Sequence, residues 1–295
     1  MPLAIQSAAD DELPTACRAL FAHGEHADLA ARRFLAMFAS GELDPRGLIV
    51  AKDGEAIRGT IFAYRLGGAQ AALWLPVAPD DATRDALVAG ALAWIHCEPT
   101  KVIQALIREP ERTRTDALVR AGFKHITQLA FLSRTCSPDD TKFVPKRLHF
   151  RSVSQLDGEF ADVLMQTFDG TLDVPELNGT RSTEEVLAGY RKVAGDEPPL
   201  YWMIECERAT AGVLMLAPHS DDPTIELTYV GLVPSARGRG LGREAVDFAL
   251  DRAADSARHS VQLNVDVRNE PALGIYRDRM FRTDDLRDVF LLLPQ

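Results

Sequence analysis

The feature that most constrains this chain is a near repetition of element order on either side of a polar segment. That segment, Thr135–Arg147, reads T-C-S-P-D-D-T-K-F-V-P-K-R and holds two prolines. Such a stretch interrupts both helical and strand periodicity and reads as an interdomain linker. A chain of 295 residues suits two domains of ordinary size. In the second half, Leu148–Val153 has strand character, and Gly158–Asp169 and Ser182–Val193 have helical apolar spacing. Leu200–Cys206, Ala211–Ala217 and Thr224–Val233 are β-rich runs. Leu241–Ala257 reads as an amphipathic helix, Val261–Val267 as a strand, Pro271–Arg279 as a short helix and Asp288–Leu293 as a last strand. The first half runs in nearly the same order. It has a strand at Ala4–Ser7, helices at Asp11–Ala22 and Ala27–Phe38, and strands at Gly47–Ala51, Ile57–Tyr64 and Ala71–Leu75. A helix at Ala82–Ile95, a strand at Val102–Ile107, a helix at Arg112–Ala121 and a strand at Ile126–Leu132 complete it. V-A-P at Val77–Pro79 matches L-V-P at Leu232–Pro234, and A-G-F at Ala121–Phe123 matches R-M-F at Arg279–Phe281. The expectation is a duplicated α/β (α+β) architecture: residues 1–134, a linker at 135–147, and residues 148–295.

Composition narrows the function classes. The formal net charge of -10 opposes general binding to nucleic acid or an anionic membrane. No apolar run reaches the length of a membrane span, and Met1–Asp11 lacks the pattern of a signal peptide. Cys17, Cys97, Cys136 and Cys206 are far apart and form no C-x-x-C pair, which points to a reducing cytoplasm rather than a disulfide framework. The histidines have no metal-ligand spacing, and their closest pair, His23 and His26, reads as surface. No metal is expected, and a monomer or homodimer is equally open.

An anionic ligand therefore needs a local site, and one stretch offers it. A β-rich run ends at Pro234, Arg237–Gly242 then reads R-G-R-G-L-G, and a helix follows. Glycines at 238, 240 and 242 permit φ > 0 and close approach of a ligand to the backbone. The first turn of a helix supplies unpaired N–H groups and the positive end of its dipole. Together they form an anion site, with Arg237, Arg239 and Arg243 adding charge. A diphosphate fits it better than a monovalent anion. The P-loop ending G-K-[ST] is absent, and the glycine spacing departs from G-x-G-x-x-G. Asp266 falls near where a ribose-binding acid would, so this segment alone leaves a dinucleotide reading open.

V-P-x-x-R-x-x-G-x-G, formed by Val233, Pro234, Arg237, Gly240 and Gly242, resembles the acetyl-CoA motif of the GNAT superfamily. Asn269–Phe281, N-E-P-A-L-G-I-Y-R-D-R-M-F, resembles that superfamily's second block. The element order of each half is similar to the GNAT fold, so the resemblance implies two tandem GNAT-like domains, each a mixed, mostly antiparallel sheet flanked by helices. The tandem layout is similar to that of mycothiol synthase, with the catalytic unit C-terminal. Thr171–Arg181, T-L-D-V-P-E-L-N-G-T-R, resembles uncharacterised tandem GNAT proteins of planctomycete type. The resemblance implies acetyl-CoA as cosubstrate and direct attack by a primary amine on its thioester.

Such attack needs a base, since most amines are protonated at neutral pH. The resemblance places it at Glu226, eleven residues before Arg237, where apolar neighbours would raise a carboxyl's pKa. It places a general acid at Tyr276, whose phenol, at a pKa of about 10 against about 8.5 for a thiol, stays protonated. Backbone N–H groups near Leu232 and Val233 would meet the oxyanion, and Gly231 would mark a bulge that opens the strand. Leu241 completes the cofactor turn. Asn269 either contacts the pantetheine arm or caps the turn before Pro271. Met280 stands where the superfamily has Gly, so the helix there is expected to end differently from its counterpart at Gly122.

Asp80–Leu87, D-D-A-T-R-D-A-L, occupies the corresponding place in the first half and has no glycine. Its aspartates suit a helix start but repel phosphate. Residues 1–134 are therefore expected not to bind CoA. On the acceptor side, Asp173, Glu176, Asn178 and Arg181 lie in a loop between two helices, with Thr228 and Tyr229 nearby; acidic groups there favour a cationic amine, whether of a small molecule or a peptide. Trp202 reads as core. The alternatives are a non-catalytic acyl-CoA-binding sensor of the same fold and a dinucleotide-dependent enzyme.

Overall fold

In the computed structural model, residues 3–22, 26–137, 140–156, 158–193, 200–218, 223–256 and 258–293 are described. The histidine pair of the sequence reading falls partly outside them, at His23. The chain forms two compact units, residues 1–126 with 288–295, and residues 127–287. Each is α/β, a mixed sheet flanked by helices.

The first unit contains β1 (Ala4–Ser7), α1 (Leu13–Leu20), α2 (Ala27–Ala39), β2 (Leu48–Asp53), β3 (Ala56–Gly67), β4 (Gln70–Leu73), α3 (Asp81–Ile95), β5 (Val102–Arg108) and α4 (Asp116–Arg120). β1 to β4 pair antiparallel in sequence order, and β4 pairs parallel with β5. Phe34, Phe38 and Phe62 pack edge to face under one side of this sheet. The helix expected over Arg112–Ala121 is split: Glu109–Arg114 is a 3-10 turn, and only α4 is α-helical.

The second unit contains β7 (Leu148–Val153), α5 (Gly158–Thr167), α6 (Thr183–Val193), β8 (Leu200–Cys206), β9 (Ala209–Pro218), β10 (Thr224–Leu232), α7 (Leu241–Asp255), β11 (Ser260–Asp266) and α8 (Glu270–Asp278). β7 to β10 are antiparallel, and β10 pairs parallel with β11. Phe248 of α7 stacks on Phe150 at 3.7 Å and meets Trp202 edge-on at 5.2 Å, so Trp202 is core.

The units are not the two halves cut at the polar segment. β6 (Lys124–Thr135) crosses the boundary, and its residues 129–135 pair antiparallel with β11 in the second unit. Ala130 and Leu132 belong to that unit's core. Conversely, β12 (Arg282–Leu292) delivers Phe290 to the core of the first. The boundaries expected at 134 and 148 therefore shift, because strand pairing and apolar burial put each half's closing segment in the other unit. The polar segment is also fastened rather than loose. Asp140 accepts from Arg134 and from the Ser137 N–H, each at 2.7 Å, and Phe143 packs on Phe248.

The end of α8 corrects a second expectation. Met280 adopts φ 64°, the left-handed conformation that glycine usually takes. The Phe281 N–H donates to the Tyr276 carbonyl at 3.1 Å, the Met280 N–H to that of Arg277 at 3.0 Å, and the Tyr276 and Phe281 rings meet at 5.5 Å. This is a Schellman ending with its apolar contact. α4 ends identically through Gly122 at φ 95°, with Phe123 donating to Leu118. The ending is the same; methionine carries the strain of a left-handed side chain, about 1–2 kcal/mol. Its side chain is exposed, so Met280→Gly removes strain without opening a cavity. The variant is expected to gain about 1 kcal/mol in urea unfolding with an unchanged m-value; a loss of stability would show that the methionine side chain packs favourably.

Candidate functional site

The site is organised by a strand pair that separates. β10 and β11 pair over three positions only, ending at Glu226↔Gln262. β10 then continues against β9 as far as Leu232↔Gly212, while β11 stays with β6 as far as Asp266↔Leu129. Each strand is held by its outer neighbour, so a cleft opens between them. Glu226 is the last paired residue and is half-buried. The bulge expected at Gly231 lies instead between Leu227 and Tyr229, leaving Thr228 extra, its hydroxyl donating to the Met215 carbonyl at 3.1 Å. The displaced register puts Glu226 and Tyr229, three residues apart, on one face, since they pair with Ala217 and Met215. Gly231 sits in regular ladder opposite Val213. A Cβ there would fall 2.6 Å from the Tyr229 ring and 2.9 Å from Thr167, so glycine is needed for close approach.

The Val233 N–H donates to the Ala211 carbonyl at 2.9 Å, which removes it from the expected oxyanion pair. Strand alternation then turns the N–H groups of Val230 and Leu232 toward the edge that β11 has left.

After β10, Pro234–Ala236 forms a 3-10 turn, and Gly238 and Gly240 take φ 72° and 76°. Gly240 is the N-cap of α7, and no side chain caps that helix. Its first-turn N–H groups and dipole are thus left to an external acceptor. Gly242 has a packing role: a Cβ would lie 3.1 Å from the Cδ1 of Ile275 on α8. Leu241 is fully buried and anchors the helix start.

The arginines of the turn divide by role. Arg237 faces inward: Nε donates to the Leu232 carbonyl at 3.0 Å, Nη1 to Asp169 and Gly170 at 2.6 and 3.1 Å, and Nη2 to Thr167 at 2.7 Å. Its guanidinium ties the end of α5 to the end of β10 and neutralises carbonyls at a negative helix terminus. Arg237, expected to hold the cofactor, is thereby occupied. Arg239 pairs with Glu207 at 3.3 Å and Arg243 with Asp278 at 2.8 Å, both on the surface.

Two residues missed in the sequence support the same turn. One oxygen of the buried Glu244 carboxylate accepts the N–H groups of Lys146, Arg147 and Leu148 at 2.7–2.9 Å. Burial pushes this carboxyl up, but the three N–H donors and Arg147 outweigh it and hold it below the usual range. Arg147 Nη1 in turn donates to the Arg239 carbonyl at 2.8 Å. A Glu on a helix's first turn carried no local sign that three backbone amides would converge on it.

Asn269 resolves to a cap, its Oδ1 accepting from the Ala272 N–H at 3.3 Å. Tyr276 is buried on α8. Burial, with the charge of Asp173, pushes its phenol up, so it stays protonated.

The loop of expected acceptor residues is locked to the end of β11. Asp266, fully buried, accepts from Thr127 Oγ1 at 2.7 Å, the Val174 N–H at 3.1 Å and Arg268. The Asp266 N–H donates to Asp173 Oδ1 at 2.7 Å, and Arg268 grips Glu176 with two bonds of 2.7 and 2.9 Å. Val174, a β-branched residue at φ 42°, is held in a strained conformation by this clasp. Glu176 is therefore engaged by Arg268, Asp266 belongs to the clasp, and the Asn178 amide donates to the Phe168 carbonyl at 2.9 Å.

Asp173 remains open to solvent, while protein crowding its carboxyl pushes the pKa up. Its charge reaches the phenols of Tyr190, Tyr229 and Tyr276, all raised by burial. Tyr190 and Tyr229 meet at 5.8 Å. Thr167 spends its hydroxyl proton on the Leu164 carbonyl at 2.6 Å, so Tyr229 donates to Thr167 at 2.7 Å. The charge of Asp173 thus bears on Tyr190, Tyr229 and Tyr276, and that of Arg181 on Tyr190; Tyr190 was not singled out in the sequence. No group of side chains among the described residues is arranged to hold a metal ion.

The first unit has other residues at the places that correspond to Glu226, the α7 start and Tyr276. The third parallel pair of β4 with β5, equivalent to that of Glu226, holds Ala72. α3 is capped by Asp80, which accepts from the Thr83 N–H at 2.8 Å. Leu118 occupies the place of Tyr276 in the matching helix ending.

Residues 167–281 match the family described as Acetyltransferase (GNAT) family. Among solved structures, a GCN5-related N-acetyltransferase from Sphaerobacter thermophilus is similar at 16% identity and TM-score 0.64, covering 99% of this chain and 95% of that one. A tandem GNAT protein from the clavulanic acid biosynthesis pathway is similar at 16% identity and TM-score 0.58, covering 99% of each. A putative acetyltransferase from Pyrococcus horikoshii aligns at 10% identity and TM-score 0.53 over 100% of this chain and 90% of that one. These likenesses establish the shared fold. No curated protein matches the sequence.

Two outcomes follow from the geometry. Arg237→Gln is expected to cost about 2–3 kcal/mol in urea unfolding, because charged hydrogen bonds to four carbonyls are lost, whereas Arg239→Gln changes stability by less than about 0.5 kcal/mol. Equal effects would contradict the inward role. Glu176 is held below its ordinary range by hydrogen bonds from Arg268. Its folded pKa is depressed, so its contribution is present above the unfolded value of about 4.3 and is lost as pH falls below that value, through the folded pKa. Glu176→Gln should be less stable than the parent at neutral pH, with the difference shrinking as pH is lowered below about 4.3; a constant difference across that range would refute the linkage.

Proposed function

We propose that the protein, whose residues 167–281 match the acetyltransferase (GNAT) family and whose fold is similar to that of a tandem GNAT protein, is an acetyl-CoA-dependent N-acetyltransferase with one active site, in its second unit. The observation that carries this is the uncapped, glycine-led start of α7 beside a cleft whose apex is Glu226. The fit to CoA is direct. Gly238 and Gly240 supply the left-handed backbone, a Cβ at Gly238 would meet nothing within 4 Å, and the α7 N–H groups have no side-chain cap. The pyrophosphate is held by backbone and dipole, with Arg239 and Arg243 at the rim; Arg237 braces the turn. Val230 and Leu232 offer N–H groups along the open edge for the pantetheine arm and the thioester carbonyl.

Acetyl-CoA supplies a thioester activated for attack by a primary amine. Glu226 takes the proton from the amine nitrogen, and Tyr276 delivers its phenolic proton to the departing sulfur. The buried phenol fits the second role because it resists ionisation before sulfur leaves. Both groups then re-equilibrate with solvent. The first unit, with Ala72, Asp80 and Leu118 at the matching places, is a scaffold without CoA.

Calorimetry should show micromolar binding of acetyl-CoA and none of NAD; absence of acyl-CoA binding would sink the reading. Release of free CoA with a panel of primary amines then tests turnover. Tyr276→Phe and Glu226→Gln are each expected to lower kcat by about 10²-fold or more with acetyl-CoA affinity retained. Binding without turnover on any amine would favour an acyl-CoA sensor, and an unchanged rate in Tyr276→Phe would remove the acid role.

A further inference from the structure

Four arginines keep a buried nitrogen without a hydrogen-bond partner: Arg65, Arg114, Arg134 and Arg181. Three have a carboxylate beside them, namely Glu98 at 3.4 Å, Glu111 at 2.8 Å and Asp140 at 2.7 Å. Arg181 makes no hydrogen bond or ion pair among the described residues. The carboxylate whose charge reaches it, Glu185, is engaged at the start of α6, accepting the Ser182 N–H at 2.7 Å. Arg181 Nη1 lies against α6 at Gly189, and the guanidinium bears electrostatically on Tyr190. A buried N–H left without an acceptor costs about 1–3 kcal/mol, and no hydrogen bond among the described residues uses the Arg181 Nε.

Asp173 carries the opposite charge, is open to solvent and makes no ion pair among the described residues. Its Oδ1 accepts from the Asp266 N–H, while its Oδ2 has no hydrogen bond among the described residues. Both charges act on the Tyr190 phenol. An anion and a cation, neither in an ion pair among the described residues, thus both bear on Tyr190, whose ring meets that of Tyr229 at 5.8 Å.

Resting on the acetyltransferase reading, we propose that the acceptor is an amino acid or a close analogue, its carboxylate bound by Arg181 and its ammonium drawn in by Asp173 before Glu226 removes the proton. The planar guanidinium suits a carboxylate bidentately. A dianionic phosphate would leave a charge uncompensated beside Asp173 in a chain of net charge -10.

The test compares amino acids with their decarboxylated partners: phenylalanine with phenethylamine, leucine with isoamylamine, and lysine with cadaverine. Binding to the protein saturated with CoA is read by calorimetry, independently of turnover. At least one amino acid is expected to bind about tenfold tighter than its amine, and Arg181→Met to abolish that difference while leaving the amine's affinity within about twofold. Arg181→Lys should restore part of it. Arg181→Met should also unfold at higher urea, since a buried N–H without an acceptor is removed; a structural arginine would give the reverse. The proposal is overturned if no amino acid outbinds its amine, or if Arg181→Met preserves the difference. Amino-acid binding without acetyl transfer would instead overturn the catalytic reading, and acetyl transfer with equal affinities would overturn only this one.

Discussion

Everything in the second unit follows from the short parallel contact between β10 and β11. Had pairing continued past Glu226, the N–H and C=O groups beyond it would be ladder partners and the space between the strands would be filled. It stops after three positions because each strand is satisfied elsewhere: β10 by β9, and β11 by β6. Backbone polar groups on the open edges then require another partner. The bulge at Thr228 adds the second half of the arrangement by turning Tyr229 onto the face of Glu226.

A cleft between separating strands must be braced, and the bracing is polar. Arg237 ties the end of α5 to the end of β10, Glu244 gathers three amides before β7, and Asp266 with Arg268 clamps the loop at 173–176 onto β11. These groups are charged for a physical reason. A loop carries backbone polar atoms that apolar packing leaves unsatisfied, whereas a guanidinium or carboxylate satisfies several at once. The strain at Val174 is tolerable because the clasp fixes the residues on either side of it.

The parts legible in the sequence were those written locally. Strand and helix positions followed periodicity, and Gly238 and Gly240 announced their left-handed turn. The second block placed Tyr276 on a short helix. What escaped depends on contacts far apart in the chain. Arg237 reads as a phosphate ligand because a charge beside a glycine turn gives no hint that carbonyls seventy residues earlier will claim it. The exchange of β6 and β12 leaves no trace because each closing strand has the same apolar pattern wherever it pairs. The bulge at Thr228 and the triple acceptor Glu244 are similarly invisible. Met280 misled for a different reason: sequence reports preference for a left-handed residue, while the surrounding hydrogen bonds decide whether it is occupied.

The comparison between units gives the strongest account of which residues matter. The fold of the first unit keeps the helix ending at Gly122, the parallel pair of β4 with β5, and the helix that follows. Each is a packing requirement, and each survives. Among the differences are Ala72, Asp80 and Leu118, where the second unit has Glu226, an uncapped glycine and Tyr276. Two of the first unit's choices improve local stability: a side-chain cap on α3, and a fully buried leucine in place of a phenol. The second unit forgoes both gains at corresponding positions of the same architecture. An exposed helix start, a half-buried carboxylate at a strand fork and a buried hydroxyl are each unfavourable as structure, and the proposed acyl transfer, which would bind an anion and move protons, accounts for their presence.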